Sequence, residues 1–366
     1  MLKNKNKGIT LVALVITIII LLILAGISIS SLTNTGIFGK AKEAKDASEN
    51  AEKEQKQTLS EYEKELNKYT AQELTNDKVN KVLSETENTI LKDVNGNIFT
   101  LPAGFKITGD ATTVDKGIVI EDATVDSNGN ATPTNGSQFV WVPVGKITKA
   151  DGTKTEIKLN RYTFASDGTP TEKNEEVIVT YYQELATSDK GNTVAKNITN
   201  FKNSVKANGG YYIGRYEARK NTTSGKLTEV NSDLVWNNIT QPGAAIQARN
   251  MYDEQQPFTS DLMNSYAWDT AITFIQNCTD KTNYANQKSL NTSLSQTGTT
   301  NDNPCNIFDM ASNVIEWTTE TSSGSNYPCV NRGGGYSSSY GYTCIRSGNS
   351  TSLSNDLLGF RPLLYL

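Results

Sequence analysis

The longest apolar run in the chain is its first, Ile9 to Ile29, reading ITLVALVITIIILLILAGISI. It carries no charge and matches the ~20 residues a membrane-spanning helix needs. Lys3, Lys5 and Lys7 precede it and favour a cytoplasmic N-terminus. A cleaved secretory signal would have a shorter apolar core with a small-residue cleavage site after it; here Ala25-Gly26 lies inside the run. Residues 9–30 are therefore expected to form a single transmembrane helix in contact with membrane lipid. From Lys40 to Leu91 the chain has no Gly and no Pro and is rich in Ala, Glu, Lys and Gln, all good helix formers. Ala41, Ala44, Ala51, Leu59, Tyr62, Leu66 and Tyr69 recur near an a/d spacing. The pattern predicts a helical stalk over residues 31–91, either solvated and alone or paired along a thin Ala-rich seam.

After Leu91 the period shortens. Asp93-Val94-Asn95-Gly96-Asn97 is an Asn-Gly turn between apolar runs, a hairpin signal. Ile118–Ile120, Phe139–Val144 and Tyr211–Glu217 read as strands, Asn128–Gly136 as a polar loop, and residues 150–200 as an insertion or irregular edge. Ser265–Cys278 has helical spacing at Tyr266, Ala267, Thr270, Ala271 and Phe274. Residues 92–366 thus read as one α+β domain rich in irregular loops.

Composition narrows the chemistry. Net charge is −4, with 35 Lys+Arg against 39 Asp+Glu, and no basic stripe points to nucleic acid. Histidine is absent, which removes Ser-His-Asp and Cys-His catalysis and His-ligated zinc or iron. Cys278, Cys305, Cys329 and Cys344 form no C-x-x-C pair. They allow three disulfide pairings or none.

Lys7-Gly8-Ile9-Thr10-Leu11 followed by the apolar helix resembles the prepilin-type N-terminus of type IV pilins and pseudopilins. The resemblance implies a leader over residues 1–8, cut between Gly8 and Ile9 by a prepilin peptidase, with methylation of the new N-terminus. The family has Glu at the fifth mature position where this chain has Ala13.

Further along, ordered blocks resemble the formylglycine-generating-enzyme/sulfatase-modifying-factor family, which has a C-type-lectin-like fold. They are Phe139–Pro143, Gly210–Glu217, Ala267–Ala271, the stretch Asn306–Trp317 (NIFDMASNVIEW), Arg332–Tyr336 and Gly359–Arg361. The family often holds a structural Ca²⁺ near the middle block. The resemblance places side-chain oxygens of Asn313 and Glu316 and the carbonyl of Ser312 or Val314 as its ligands; oxygen donors suit that ion, and a metal-free hydrogen-bond network suits them equally. Oxygen-dependent members carry a copper-binding C-x4-C pair after the RGG block. Ser338 and Thr343 stand at those positions, with Cys344 alone and one residue off. The iron-dependent relatives need histidine ligands. The resemblance therefore implies the fold without either chemistry and without a required cofactor.

Residues 335–356 (GYSSSYGYTCIRSGNSTSLSND) contain three Tyr and seven Ser among Gly, Asn and Thr. That composition is similar to a paratope, in which Tyr gives rigid contact area and Ser, Gly and Asn adaptable hydrogen bonds. Its position is similar to the diversified segment in variable proteins of diversity-generating retroelements. A Tyr/Ser-rich surface loop without ligand is the plain alternative. The expectation is a surface-displayed ligand-binding or adhesion protein, single-pass in the cell membrane. Its contacts would be Tyr336, Ser338, Tyr340, Tyr342, Arg346 and Asn349, and its ligand a protein or carbohydrate. A pilin-like structural subunit and a divergent enzyme of the formylglycine-generating family are the competing classes.

Overall fold

The structure, a computed structural model, describes residues 37–176, 194–221, 227, 228, 230, 233–252, 255–324, 326–337 and 341–366. The apolar run 9–30 and the Gly8–Ile9 junction lie outside the described residues. Among the described residues no helix is long and apolar enough to cross a membrane. The chain divides into two units, Met1–Glu63 and Lys64–Leu366.

Helix α1 spans Ile37–Thr70. Leu59, Tyr62 and Leu66 on its seam are exposed. The helix stops well short of Leu91, although nothing in the sequence breaks it. Leu74, Val79 and Leu83 pack against the main core, and β1 (Gln72–Glu73) pairs in parallel with β2 (Thr89–Lys92). Burial of these side chains overrides local propensity, so residues 71–91 belong to the globular body rather than to the stalk.

The hairpin expected at Asn95-Gly96 joins β2 to β3 (Ile98–Leu101). Asp93 Oδ1 accepts from the N–H groups of Asn95 and Asn97 at 2.9 and 2.8 Å, and Gly96 takes φ +82°, the left-handed conformation such a turn requires. Strands β4 (Phe105–Thr108), β5 (Val119–Val125) and β6 (Ala131–Pro143) follow. The loop expected at Asn128–Gly136 is mostly strand, because Asp126 repeats the same turn with Gly129 at φ +81° and β6 begins at Ala131.

The stretch 150–200 is more regular than its polarity suggested. It contributes β8 (Lys154–Ile157), paired with β7 (Gly145–Thr148), and the hairpin β9 (Tyr162–Phe164) with β10 (Pro170–Glu172). It also contains the start of α2 (Ile198–Asn208). Asn197 caps that helix by accepting from Asn200 N–H at 2.9 Å, Phe201 and Val205 face the core, and Gly209 closes it in the left-handed region.

Next come β11 (Gly210–Gly214), β12 (Arg219–Lys220), β13 (Leu227–Thr228), α3 (Gln241–Arg249), β14 (Thr259–Leu262) and α4 (Ser265–Cys278). The chain ends with β15 (Ile315–Thr321), β16 (Cys329–Arg332), β17 (Arg346–Asn349), β18 (Leu358–Phe360) and β19 (Pro362–Tyr365). A six-stranded antiparallel sheet runs β14-β19-β11-β6-β5-β4. Its Phe139, Trp141, Tyr211 and Tyr212 form the main core with Trp268 and Phe274 of α4. A second sheet, β17-β16-β15-β18, packs Trp317 and Phe360 against Ala244, Ala245 and Ala248 of α3. The domain is mixed α/β and mostly β. Strand β17 is the outer edge of the second sheet.

Candidate functional site

Strand β15 carries Glu316, Thr318 and Glu320, and all three are buried. A buried carboxylate needs a cation or N–H donors to persist as an ion. Each glutamate has found its own arginine, one on either side of the C-terminal Tyr/Ser-rich segment.

Glu316 is held by Arg361, through Nη2 at 2.7 Å and Nε at 3.2 Å. Arg361 also donates to the carbonyls of Gly214 and Phe308 at 2.8 and 2.6 Å, which ties the end of β11 to the block Asn306–Trp317. Asn313 is buried at φ +61°. Its Oδ1 accepts from Ser295 N–H at 2.8 Å, while its Nδ2 donates to Glu217. Val314 N–H donates to the other oxygen of Glu217 at 2.9 Å.

Of the residues expected to ligate Ca²⁺, Asn313 and Glu316 have side chains engaged in hydrogen bonds within the chain. Both oxygens of Glu316 face a guanidinium, and Asn313 Oδ1 faces an amide. Among the described residues no group of three Cys, Asp or Glu side chains is arranged to hold a metal ion. Asn313 and Val314 join a hydrogen-bond network centred on Glu217, a residue that the sequence marks only as the end of the strand expected over Tyr211–Glu217. Burial, with Asp309 and Glu316 adding repulsion, pushes the Glu217 carboxyl well up. Asp309 is raised to about 7, chiefly by burial, and its Oδ2 has no hydrogen-bond partner.

Glu320 gathers three arginines. Arg332 Nη1 reaches Oε2 at 2.8 Å, Arg346 Nε reaches Oε1 at 2.8 Å, and Arg161 Nη2 reaches Oε1 at 2.7 Å. Asp269 of α4 shares two of these partners, Arg332 and Arg346, and accepts from Tyr162 N–H at 2.8 Å. Burial alone would raise the Glu320 carboxyl, but Arg332, Arg346 and Arg161 outweigh it and pull it down to about 2.

Arg332 also donates to Ile345 O at 2.8 Å, and Trp268 Nε1 donates to Thr343 O at 2.9 Å. The cluster thus pins residues 343–346 to α4 and β16. The adjoining glycines allow this approach. A Cβ on Gly334 would sit 2.1 Å from Ala311 O, and Gly333 stands at φ +85°.

Between these anchors the chain turns outward. Cys329–Gly335 and Leu358–Tyr365 are buried throughout, whereas every described residue from Tyr336 to Leu357 except Gly341 and Thr343 reaches solvent. Tyr336 is half-buried and donates to Asp356 Oδ2 at 3.1 Å. Tyr342 is half-buried with Lys288 over its ring at 5.4 Å. Asn349 lies on the edge strand opposite Cys329. Ser338 and Tyr340 lie outside the described residues. Arg346 differs from expectation: two buried carboxylates claim its Nε and Nη2, so it serves first as a counter-charge.

The four cysteines are free thiols. Burial raises all of them, Cys278 and Cys329 to about 12.

A sulfatase-modifying factor enzyme 1-like domain model matches residues 244–364. The resemblance read from Asn306–Trp317, Arg332–Tyr336 and Gly359–Arg361 thus holds for the last third of the chain. No curated protein matches. Among solved structures, PvdO from Pseudomonas aeruginosa is 10% identical over 64% of this chain and 96% of its own, with a TM-score of 0.37. The Major Tropism Determinant M1 variant is 13% identical over 80% of this chain and 85% of its own, with a TM-score of 0.32. Treponema denticola variable protein 1 is 16% identical over 76% of this chain and 99% of its own, with a TM-score of 0.24.

Proposed function

We propose that this chain is a ligand-binding display protein, anchored in a membrane by residues 9–30 and processed between Gly8 and Ile9. Its sulfatase-modifying-factor-like domain acts as a scaffold rather than an enzyme. The binding face is the segment Tyr336–Leu357. The observation that carries this reading is the contrast along the chain: a run whose described residues, Gly341 and Thr343 excepted, reach solvent is held between two fully buried blocks. Anchored ends lower the ordering cost that a loop meets on binding, and Tyr, here the half-buried Tyr336 and Tyr342, is a residue type that dominates interface energy. The scaffold reading has its own support. Ser338 and Thr343 occupy the copper-cysteine positions of the resembled family, and burial raises the thiols of all four cysteines, which keeps them protonated and poor nucleophiles.

The test is saturation binding of the full chain to arrays of glycans and extracellular protein domains. Wild type should be retained by at least one probe, and Tyr336→Ala with Tyr342→Ala should lose it while melting within a few degrees of wild type. Turnover of a sulfatase-type cysteine peptide with copper and oxygen would overturn the scaffold reading.

A further inference from the structure

Around Glu320 the cations outnumber the acids. Arg161, Arg332, Arg346 and Lys173 face Asp269 and Glu320, four positive groups against two negative. The backbone brings them together: Lys173 N–H donates to Arg161 O at 2.8 Å beside the β9–β10 hairpin, and Arg332 and Arg346 are register partners across β16 and β17. Glu176 is the next nearest acid, but its oxygens are filled by Thr321 and Ser265, and burial together with Glu320 raises its carboxyl.

One N–H group at this place is buried without an acceptor, and two cationic side chains beside it reach solvent. Arg161 Nε is buried and unpaired, although its side chain is only 7% exposed. Arg346 spends Nε and Nη2 on carboxylates and keeps Nη1, with its side chain 18% exposed. Lys173 is exposed, forms no ion pair among the described residues, and is held down from the usual lysine range by partial burial and by Arg346 and Arg161. A desolvated donor without an acceptor is unfavourable, and an acceptor at that place relieves it. Crowding a fourth cation against it adds repulsion that an anion would remove.

We infer that Arg161, Lys173 and Arg346 form an oxyanion subsite at the start of β17, taking a carboxylate or sulfate group of the bound ligand. Arginine forks suit both groups through paired N–H donors. The inference deepens the binding reading above and rests on it for the ligand, since Arg346 opens the same exposed segment. It also makes the exposed Ser347 and Gly348 neighbours of the anion.

The experiment needs neither the natural ligand nor a variant. The full chain is treated with an amine-acylating ester in sodium sulfate or sodium acetate series, at constant ionic strength against chloride. Acylation at Lys173 and at the exposed Lys146 is read by peptide mass spectrometry. Only the free amine is acylated, and a bound anion favours the ammonium form, so Lys173 labelling should fall several-fold and saturate while Lys146 is unchanged. Protection at lower sulfate than acetate would assign a tetrahedral group, and the reverse a carboxylate. Lys173 and Lys146 responding in parallel, or neither responding, would overturn the subsite. Tyrosine-dependent array binding with an unprotected Lys173 would remove this inference alone; a protected Lys173 without array binding would leave the subsite standing and remove the display reading.

Discussion

Glu320 and Asp309 are both buried acids, and their surroundings drive them in opposite directions. Glu320 is drawn to about 2 because its three arginines outweigh burial. Its contribution is present above the ordinary carboxylate range and is lost as pH falls through that range towards 2. Glu320→Gln leaves three guanidinium groups around one charge fewer. It should cost about 3 kcal/mol, as breaking a buried ion pair does, and calorimetric melting at pH 7 would read that as a large drop in Tm. Asp309 is raised to about 7 by burial, with Asp302 adding to it. Its folded form holds a proton that the unfolded chain releases near pH 4, so its contribution fades as pH rises from about 4 to about 7. Asn at this position keeps the acceptor for Thr300 and tolerates the left-handed φ of +66°. Asp309→Asn should gain on the order of 2 kcal/mol relative to wild type between pH 5 and pH 8. Parallel stability curves for the two proteins would show that Asp309 is ionised throughout.

Elements whose signal is local could be read from the sequence. Ser265–Cys278 shows its helical spacing, and Asn264 accepts from Ala267 N–H at its start. Asp93–Asn97 shows its turn, and of the strand expected over Tyr211–Glu217 the part up to Gly214 is strand. Helix α2 carried a usable signal in Asn197, Phe201, Val205 and Gly209 that a polar background concealed. The end of α1 had none, because residues 71–91 leave the helix for packing partners distant in sequence. The charged cluster was hidden for the same reason: Arg332 lies 63 residues from Asp269, and Arg161 lies 159 from Glu320. The corrected boundary gives a sharper expectation for the stalk. With Leu59, Tyr62 and Leu66 exposed, the exposed helix is the more accessible target, while 71–91 are tied into sheet and core. Protease added to intact cells should release a fragment that begins within 37–70. A first cut within 71–91, or full protection until lysis, would contradict this arrangement.

At the scale of the molecule, the two largest sheets, helix α4 and two arginine–carboxylate clusters hold a segment most of whose described residues reach solvent. Intact-mass measurement of the mature protein should show Ile9 at its N-terminus, whereas retention of Met1–Gly8 would leave an ordinary signal anchor. The central claim is that the solvent-facing positions of Tyr336–Leu357 form a binding surface carried by β17 and its flanking turns. A library that places Tyr, Ser, Asn, Asp and Gly at Ser337, Ser347, Asn349, Ser352 and Ser354 tests this most directly, with melting temperature and array-binding profile measured for each variant. Substitutions at sites without core contacts are usually within about 0.5 kcal/mol of neutral. The account predicts melting temperatures clustered near wild type and binding profiles that differ between variants. Widespread unfolding, or uniform melting with an unchanged binding profile, would contradict it.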